Sequence, residues 1–474
     1  MSLNQHRVLV WFRFREGVMS DIFNLTSKLL NKYNINGPRY TSYPTALEFN
    51  NEFGNAEFEV AVKESSSRDL SLYVHVPFCH SLCYYCGCNK IVTRHKHKAD
   101  IYLDYLEKEI ISRAALFGEH KVQQLHLGGG TPSFLSAEQF TRLIGNLKSH
   151  FSFKEQVEMS IEVDPREIEL ELLDHLKELG FNRLSFGVQD TNLEVQEAIN
   201  RVQDTEFVHQ LIERGRALNY DSVNIDLIYG LPHQTEALFD KTLAKVLELN
   251  PDRISLFSYA HLPSRFAAQR KIKDEWLPQT NDKLKLMLNA IDTLTNNGYV
   301  SIGMDHFAKP DDELAVAQKA GELHRNFQGY TTQGECDLLG LGVSSISSVG
   351  MSFSQNFKDL KDYYSAIDSC EQAVEKGLTL KRDDIIRGTV IKQLMCNFNL
   401  DKAKVSEELN IDFDHYFAED LAKLQVFIDD GLIDMDSNHI YIKPHARLLI
   451  RNIAMSFDAY MAKQLNKQRF SRVI

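Results

Sequence analysis

The sequence lacks several features that would place it in other protein classes. It has no apolar run of the roughly 18 to 20 residues that a membrane-spanning helix needs. Its start has only a short apolar stretch beside charged residues, which is not the pattern of a secretory signal peptide. It has no internal repeat and no low-complexity linker. We therefore expect a cytoplasmic protein without membrane insertion.

Positive charge is also in short supply. The 474 residues include 53 Lys and Arg against 65 Asp and Glu, which gives a net charge of −12. An acidic surface disfavours nonspecific contact with nucleic acid or anionic membranes, so we expect neither as a partner. The chain is longer than the roughly 250 to 300 residues at which single cores stop growing. We expect two domains, a small-molecule substrate and a monomeric protein.

Cysteine is scarce and unevenly distributed. The sequence has seven, and four of them fall within ten positions: Cys79, Cys83, Cys86 and Cys88. An odd number and such clustering exclude a disulfide framework and predict a reducing compartment. The remaining three are far apart, and we expect them to be structural thiols: Cys336, Cys370 and Cys396.

Cys79, Cys83 and Cys86 have the spacing C-x3-C-x2-C, which supplies three thiolates and no fourth ligand. A structural zinc site uses four protein ligands, and a bacterial ferredoxin cluster uses a different cysteine spacing. Three thiolates suit a [4Fe-4S] cluster with one open iron, so the segment resembles the radical S-adenosylmethionine (SAM) superfamily. Tyr85 lies where that superfamily has an aromatic residue that packs on the SAM adenine. Zinc completed by Cys88 or a nearby His, and reduced core cysteines, stay open as alternatives.

Short β-branched runs, each followed by a helix-like stretch, predict βα units around a parallel sheet. There are six of these runs, at 72–76, 124–127, 160–163, 183–188, 223–228 and 253–259. Polar residues and glycines cluster at the carboxyl ends of the runs, where β/α barrels build their sites. We predict an α/β protein with an incomplete (β/α)6 barrel. A doubly wound open sheet is the alternative.

The pattern changes beyond about residue 365. A hairpin is predicted at 432–442, and residues 446–463 have the pattern of an amphipathic helix. The segment resembles a winged helix, but it is not basic, so a cover over the barrel is favoured over DNA binding. We expect an N-terminal arm at 1–52, a radical SAM barrel at 53–365 and a smaller, mostly helical domain at 366–474.

Several loops have side chains that suit SAM binding. The glycine run at 128–130 follows a strand, and residues without a Cβ let a ligand approach the backbone. Glu162 and Asp226, near strand ends, suit hydrogen bonds from ribose hydroxyls or an ammonium group. Arg201 and Gln189 suit a SAM carboxylate or the substrate. A glycine run alone is equally typical of a tight turn, and Glu162 or Asp226 alone would more often be a solvated or ion-paired carboxylate. Arg201 and Gln189 are similarly unspecific when taken singly.

Longer motifs resemble the oxygen-independent coproporphyrinogen III oxidase family, also called coproporphyrinogen dehydrogenases. The resemblance runs from about Lys28 to Ile474. The motifs are GPRYTSYPTA at 37–46, YVHVPFC at 73–79, CYYCGCN at 83–89, SIEVDPR at 160–166, NIDLIYGLP at 224–232, MDHF at 304–307, HRNFQGYTT at 324–332 and FSRVI at 470–474. Residues 1–18 fall outside it, and Met19 is a plausible start, so we expect that they are a non-native extension.

The resemblance implies a reaction and a set of site residues. The reaction is the anaerobic oxidative decarboxylation of two propionates of coproporphyrinogen III to vinyl groups, giving protoporphyrinogen IX, with one [4Fe-4S] cluster and two SAM molecules. It implies Cys79, Cys83 and Cys86 as cluster ligands. Implied SAM contacts are Tyr73, Tyr85, Gly129, Gly130, Thr131, Glu162, Gln189, Arg201, Asp226, Ala260 and Ile346.

Further roles are expected for residues near the cluster and the mouth of the barrel. Tyr73 and His75 are candidate catalytic residues, because a ring on this strand could hydrogen-bond a cluster sulfide or SAM. The substrate is a tetra-anion, so arginines should face the mouth of the barrel. The candidates are Arg39, Arg265, Arg270 and Arg325. We also expect Arg39 and its neighbours in the arm to close over the substrate.

The reaction also requires a low-potential electron donor, flavodoxin- or ferredoxin-like, and an electron acceptor. Two other functions compete with it. A haem chaperone of the same superfamily would bind haem rather than decarboxylate. The CGC ending of the cysteine motif and the segment at 37–46 argue against that chaperone. A zinc-stabilised winged-helix regulator would need the nucleic-acid affinity that an acidic chain disfavours.

Overall fold

The structure is a computed structural model that describes residues 27–369 and 372–461. These residues form nineteen strands. They are β1 Asp69–Val76, β2 Phe78–Cys79, β3 Ile91–Val92, β4 Lys121–Gly129, β5 Ser152–Val163, β6 Arg183–Gln189, β7 Ser222–Tyr229, β8 Arg253–Ser258, β9 Val300–Gly303, β10 His306–Ala308, β11 His324–Asn326, β12 Gly329–Thr331, β13 Asp337–Leu341, β14 Ile346–Val349, β15 Ser352–Asn356, β16 Val374–Thr379, β17 Asn399–Asp401, β18 Ile433–Met435 and β19 His439–Ile442.

Twelve strands form the main sheet, in the order β16-β15-β14-β13-β1-β4-β5-β6-β7-β8-β10-β9. The strands from β13 through β1 to β8 run parallel, and those at both ends run antiparallel. Strands β1 and β4 to β8 are the six predicted from the βα pattern, so the mixed α/β fold with a parallel sheet is confirmed. The end strands β16 and β9 do not pair with each other within the described ranges, which fits an incomplete barrel.

A seventh parallel strand, β13, was not predicted. All five of its residues are buried, and it pairs with β1 so that Gly340 lies opposite Tyr73. The βα pattern missed it because no helix follows it. Instead, the chain returns antiparallel through β14 and β15.

Helices cover the outer face of the sheet. Helix Ala137–His150 is typical: Ser136 and Gln139 form a capping box, and Phe140 and Leu147 are on its buried face. The α-helices are α1 Ser27–Tyr33, α2 Asn55–Glu64, α3 His97–Ala114, α4 Ala137–His150, α5 Glu171–Leu179, α6 Leu193–Ala198, α7 Thr205–Ala217, α8 Glu236–Leu249, α9 Thr280–Asn296, α10 Glu313–Ala320, α11 Leu360–Asp368, α12 Arg382–Asn397, α13 Lys402–Leu409, α14 Phe413–Tyr416, α15 Ala418–Lys423, α16 Gln425–Asp429 and α17 Ile450–Ala454. Short 3-10 helices are at Ala46–Glu48, Pro132–Phe134, Pro165–Glu167, Ala267–Lys271, Asp274–Trp276, Pro444–Leu449 and Met455–Phe457.

A second hydrophobic core joins the N-terminal arm to the C-terminal helices. Leu30, Tyr33, Tyr40 and Tyr43 of the arm pack in one cluster with residues of α12 and α17. Polar contacts reinforce this packing. The Tyr40 hydroxyl donates to Asp458 Oδ2 (2.9 Å), and Arg451 Nε donates to the Pro38 carbonyl (2.8 Å). The arm is therefore an integral part of the second core.

Two predictions for the C-terminal region have different outcomes. The predicted hairpin is confirmed, since β18 and β19 pair antiparallel. The single amphipathic helix at 446–463 is wrong. The described part of this segment consists of the 3-10 helix Pro444–Leu449, then α17 and a further 3-10 turn. All five residues of α17 are buried, and its polar residues Arg451 and Asn452 make internal contacts rather than facing solvent.

The main sheet continues past residue 365, because β16 pairs with β15 and Gly377 bridges to Asn50 of the arm. We therefore propose a domain boundary near residue 380 rather than 365.

Within the two described ranges, none of the helices combines the length and apolar composition that crossing a bilayer requires.

Candidate active site

The sheet gathers the predicted site residues at the carboxyl ends of its parallel strands, where β/α folds build their sites. Strand register explains this convergence: Tyr73 lies opposite His126, which lies opposite Ser160, and Gly187 lies opposite Asp226. The predicted residues on or just beyond these ends are Tyr73, His75, Gly129, Gly130, Thr131, Glu162, Gln189, Asp226 and Ala260. Ile346 begins β14, and its carbonyl would lie 2.6 Å from a Cβ placed on Gly340, the residue opposite Tyr73.

The cysteine loop leaves β1 through the short strand β2, which ends at Cys79 and pairs with β3. Each of the three predicted ligand sulfurs accepts a hydrogen bond. The Thr131 hydroxyl donates to Cys79 Sγ (3.3 Å), Arg201 Nη1 donates to Cys83 Sγ (3.4 Å), and the Cys88 backbone N–H donates to Cys86 Sγ (3.4 Å). Donors aimed at sulfur stabilise thiolates, the form that binds iron.

The electrostatics of the loop separate Cys86 from Cys88. Burial raises the pKa of the Cys79 thiol to about 11, and the charges of Cys86 and Cys83 raise it further. A hydrogen bond from Cys88 lowers the pKa of Cys86 to about 6, helped by the positive charge of Lys90. The same contact raises the pKa of Cys88 well above its usual value. Cys86 therefore ionises more easily than Cys88, which donates a hydrogen bond to it.

The cysteines are not arranged for a single metal ion. In the described part of the chain, no three His, Cys, Asp or Glu side chains are close enough to bind one ion. Zinc needs four ligands at about 2.0 to 2.3 Å, whereas the ligands of a four-iron cluster bind different iron atoms. The donor set therefore fits a cluster better than zinc.

Tyr73 and His75 form a hydrogen-bonded pair on β1. His75 Nε2 lies 3.1 Å from the Asn89 carbonyl, which can only accept, so Nε2 carries the proton. Nδ1 then accepts from the Tyr73 hydroxyl at 3.1 Å. Burial lowers the pKa of His75, which keeps the ring neutral at physiological pH. Because Asn89 follows the last clustered cysteine, His75 also anchors the end of the cysteine loop.

Close packing against His75 and Pro77 requires glycine at two positions of the glycine run. Gly129 has φ +115°, and a Cβ there would lie 2.6 Å from the His75 ring. A Cβ on Gly130 would lie 2.7 Å from the Pro77 carbonyl group. The Gly129 N–H donates to Glu162 Oε2 (3.2 Å). The loop is therefore held tightly over His75 and next to Glu162.

Glu162 and Asp226 lie close enough to influence each other. Glu162 is half-exposed, and its Oε1 lies 3.5 Å from His126 Nε2. Burial raises the pKa of Asp226 to about 6, and the charge of Glu162 adds to the rise. Asn224 Nδ2 donates to Asp226 Oδ1 (2.8 Å). Two carboxylates, one on β5 and one on β7, create a negative site that suits hydroxyl or ammonium donors.

Arg201 links the cysteine loop to β6. Its Nη1 lies 3.0 Å from Asp164 Oδ2, and its Nη2 donates to the Gly187 carbonyl (2.6 Å). A Cβ on Gly187 would lie within 2.9 Å of both Arg201 Nη2 and Gln189 Nε2, so these side chains meet over the glycine. Burial by itself would raise the pKa of Asp164, but Arg201 and Arg166 lower it to about 2. Arg201 Nε is buried and has no hydrogen-bond partner among the described residues.

Tyr85 and Ala260 are tied together by one side chain. Gln269 Nε2 donates to the Tyr85 carbonyl (2.9 Å) and lies 3.2 Å from the Ala260 carbonyl. The Tyr85 ring packs against a small apolar cluster that includes Ile199 and Ile228. Gln269 therefore holds the backbone of two predicted SAM contacts, Tyr85 and Ala260.

A cavity of about 1050 Å³ opens beside this site. Gly87 and Cys88 of the cysteine loop border one side, and Arg39 of the arm and Arg451 of α17 border the other. Of the four predicted arginines, Arg39 and Arg265 line the cavity. The other two are not among its lining residues: Arg270 Nε donates to the Pro263 carbonyl (3.1 Å), and Arg325 packs over Tyr330.

Comparisons with known proteins agree with this geometry. A family model described as the radical SAM superfamily matches residues 73–246, and one described as the HemN C-terminal domain matches residues 380–449. The chain is 58% identical to the oxygen-independent coproporphyrinogen III oxidase of Escherichia coli, over 94% of this chain and 98% of that protein. This chain belongs to the oxygen-independent coproporphyrinogen III oxidase family.

Other members of the oxygen-independent coproporphyrinogen III oxidase family also align over nearly the full length of this chain. The Pseudomonas aeruginosa protein of that name is 48% identical over 96% of this chain and 100% of its own length. A solved structure, described as coproporphyrinogen III oxidase (HemN) from Escherichia coli, a radical SAM enzyme, aligns with a TM-score of 0.88 at 57% identity. It covers 89% of this chain and 97% of that one. The expected resemblance and radical SAM fold are thus confirmed.

The cofactors of the oxygen-independent coproporphyrinogen III oxidase family are a [4Fe-4S] cluster and SAM, as expected from the sequence. The residues present fit both. Three thiols have donors directed at them, and two carboxylates and a buried, partly unpartnered arginine lie around the same strand ends. The zinc and reduced-core alternatives are therefore set aside.

Sequence reasoning missed several supporting residues of the site. His126 stacks on Tyr73 and contacts Glu162, and Asp164 holds both Arg201 and Arg166. Gln269 and Arg451 also went unnoticed. The strand pattern placed Asp164 beside Glu162 at a strand end but assigned it no role, and Arg166 lies within the motif at 160–166. Gln269 and Arg451 were in no motif, and nothing in the sequence marked them.

Proposed function

We propose that this protein catalyses the anaerobic oxidative decarboxylation of two propionate side chains of coproporphyrinogen III. The product is protoporphyrinogen IX, an intermediate of haem biosynthesis. Near-full-length identity of 58% to an enzyme named for this substrate carries the proposal. Because these relatives are named as oxidases of coproporphyrinogen III, the similarity favours decarboxylation over the haem delivery expected of a chaperone. The site agrees, because the cysteine loop forms one wall of a cavity large enough for a tetrapyrrole.

The protein supplies the ligands and the support for its cofactors. The cluster and SAM, when bound, provide the electron and the carbon radical that begin the decarboxylation. Cys79, Cys83 and Cys86 are proposed to hold the cluster, and Cys88 to hydrogen-bond Cys86 rather than bind iron. The donors on each sulfur, described above, support thiolate ligands.

The strand ends beside the cysteine loop are proposed as the SAM sites. Their polar groups suit the two charged ends of the methionine part and the ribose hydroxyls of SAM. The buried Arg201 Nε–H suits a carboxylate, and Glu162 and Asp226 suit an ammonium group or hydroxyls. The proposed contacts are Tyr73, Tyr85, Gly129, Gly130, Thr131, Glu162, Gln189, Arg201, Asp226, Ala260 and Ile346. Two SAM molecules are proposed.

Tyr73 and His75 are proposed to position the cofactors rather than to transfer protons. His75 is neutral and uses both ring nitrogens, one for the Tyr73 hydroxyl and one for the Asn89 carbonyl. This leaves no free imidazole nitrogen for acid–base work. The Tyr73 ring, stacked on His126, presents a flat aromatic edge between the glycine run and Glu162.

The cavity is proposed to bind the porphyrinogen, which carries four carboxylates. Arg39, Arg265 and Arg451 line it and supply positive charge. Asp305 also lines it, and its Oδ2 lies 3.4 Å from Arg39 Nη1, so Arg39 is held in place. Among the described lining residues, Arg39 and Arg265 thus outnumber the one carboxylate and supply positive charge suited to propionates. The other wall belongs to the cysteine loop, so a bound tetrapyrrole would reach the cofactors.

The remaining expectations concern partners and location. We propose that the protein works in the cytoplasm as a monomer, with a low-potential electron donor and a separate electron acceptor. A reducing compartment fits the clustered thiols. The overall acidic charge gives no support for nucleic acid or anionic membranes as partners.

The test is an anaerobic assay of the reconstituted enzyme with coproporphyrinogen III, SAM, a low-potential reductant and an electron acceptor. The expected products are protoporphyrinogen IX and about two molecules of 5′-deoxyadenosine per product, one for each decarboxylation. Oxygen should abolish the activity. SAM cleavage without vinyl formation, together with stoichiometric haem binding, would overturn the proposal in favour of the chaperone.

A further inference from the structure

A basic surface lies directly beside the cysteine loop. Strand β3 pairs with β2, so that Val92 lies opposite Cys79. The Thr93 N–H then donates to the Cys79 carbonyl (2.9 Å). Five consecutive basic residues follow Thr93, and the last two of them begin α3. We call these five the basic patch: Arg94, His95, Lys96, His97 and Lys98.

The basic patch contrasts with the rest of the protein. All five of its residues are exposed, and three carry a permanent positive charge in a chain of net charge −12. None of the five forms an ion pair within the described part of the chain. Glu167 acts on Lys96 from a distance, and Asp100, on the next turn, accepts from Gln139 Nε2 (2.7 Å). Asp100 keeps its negative charge in that hydrogen bond, but the three permanent positive charges exceed these two carboxylates, so the patch is positive overall.

Packing connects the basic patch to the cluster ligands. The Lys96 ammonium lies 4.5 Å from the centre of the Phe134 ring, and Phe134 lies 4.5 Å from His80, the residue after Cys79. Val92 is 44% exposed and adds an apolar contact point. Only strand β3 and the Phe134 ring would separate a partner bound here from Cys79.

We propose that Val92 and the basic patch form the docking surface for an acidic electron-transfer protein that reduces the cluster. The inference rests on the proposed function, which requires single electrons to reach the cysteine loop. In that step the donor loses one electron and the bound cluster gains it, and no bond is made or broken.

Charge complementarity identifies the class of partner. An acidic protein is repelled by most of a surface with net charge −12 and is attracted where positive charge is unbalanced. Such steering raises association rates more than it raises affinity, which suits a partner that must leave after each electron. The small area of one strand and one turn is also typical of transient electron-transfer contacts.

The experiment measures reduction of the reconstituted cluster by stopped-flow absorbance, with reduced flavodoxin as the acidic donor. The test variant is Arg94→Glu combined with Lys98→Glu. The matched control is Lys241→Glu combined with Lys319→Glu, two exposed lysines on α8 and α10 that change the net charge equally. Reduced methyl viologen, a small cation, serves as a second reductant.

We expect the patch variant to lower the second-order rate constant with flavodoxin by about tenfold or more, and to lose most of its salt dependence. The control variant should keep the wild-type rate. Both variants should be reduced normally by methyl viologen and should then cleave SAM normally. The milder Arg94→Gln with Lys98→Gln variant should show an intermediate rate.

Two results separate failure of this inference from failure of the proposed function. If the patch and control variants are reduced by flavodoxin at equal rates, the docking surface is refuted. If the wild-type protein forms no vinyl product even with methyl viologen, the proposed function fails, whatever the flavodoxin rates show. Iron content and the cluster absorbance of each variant establish that it has folded and loaded its cluster.

Discussion

The cavity has two unlike sides. The cluster side is built from strand ends and loops that are consecutive in the chain, and each ligand sulfur has a donor within 3.4 Å. The opposite side is built from segments far apart in sequence, where Arg451 of α17 holds the carbonyl of Pro38 in the arm. The first side holds the proposed cofactor contacts, whose residues lie in recognisable motifs, and the second shapes the cavity through tertiary contacts.

The two sides differ in how strictly packing limits the type of residue at each position. On the cluster side, a Cβ added at Gly129 would lie 2.6 Å from the His75 ring, and one added at Gly130 would lie 2.7 Å from the Pro77 carbonyl, so even small changes are excluded. On the arm side, Tyr33, Tyr40 and Tyr43 pack their rings in a hydrophobic cluster and form hydrogen bonds through their hydroxyls, so a replacement ring of similar volume loses only the polar contact. The predictions below test this contrast, from the largest expected effect to the smallest.

The largest effect is expected for the cluster ligands. Cys79→Ser, Cys83→Ser or Cys86→Ser should each remove the iron–sulfur absorbance and all activity, because no fourth thiolate can substitute. Cys88→Ser should retain the cluster, since Cys88 contacts Cys86 through a hydrogen bond. Iron content after anaerobic reconstitution is the measurement. Equal loss in all four variants would show that Cys88 also binds iron.

Two buried carboxylates on the cluster side should affect stability in opposite directions. The pKa of Asp226 is raised to about 6, so its folded-state cost develops as pH rises from about 4 to 6 and reaches about 3 kcal/mol at pH 7. Asp226→Asn should therefore stabilise the protein at pH 7 and change little at pH 4. The pKa of Asp164 is lowered to about 2, so its contribution is present above pH 4 and is lost as pH falls towards 2.

Asp164→Asn is the matched control, because it should destabilise the protein at pH 7 by about 2 kcal/mol. Denaturant unfolding of the cluster-free protein at the two pH values checks both variants. If both substitutions shift the free energy of unfolding in the same direction at pH 7, the opposite electrostatic roles assigned here are wrong.

Arg201 should affect SAM use more than cluster binding. Lysine cannot reproduce the contacts of the guanidinium with Asp164 and Gly187 or its remaining Nε–H. Arg201→Lys should keep its iron and lower SAM cleavage by about 10- to 100-fold. Arg166→Lys is the control, because Arg166 also touches Asp164 and Cys83. Loss of iron in both variants would indicate that Arg201 only supports the loop.

On the arm side, single substitutions should produce smaller effects. Arg39→Gln removes one charge from the cavity wall and should raise KM for coproporphyrinogen III about tenfold, with kcat nearly unchanged. Arg270→Gln is the control, because its Nε is bound to the Pro263 carbonyl and it does not line the cavity. Equal KM values for the two variants would remove Arg39 from the substrate site. Deleting the whole arm is a poorer test, because Tyr33, Tyr40 and Tyr43 would leave the second core with it.

The contrast also explains what the sequence could predict. The cysteine loop, the glycine run and the six βα strands follow from short-range patterns, so the sequence alone predicts them. Strand β13 was missed because its partner, β1, lies more than 250 residues earlier and no helix follows it. Arg451 is in no motif, and its place in the cavity depends on its contact with the arm. Contacts between distant segments leave no local signal.

The smallest effects are expected for the cysteines outside the motif. Cys370 lies outside the described residues. Cys396 is fully buried in the second core, and burial raises its pKa to about 12, so it stays a neutral thiol. Cys336 accepts a hydrogen bond from Gln123 and has a pKa raised to about 11, again by burial. Cys396→Ala should cost about 1 to 2 kcal/mol through a small cavity, and Cys336→Ala should cost less. Neither should change iron content or SAM cleavage, and reconstitution with clearly more than four irons per wild-type chain would contradict this assignment.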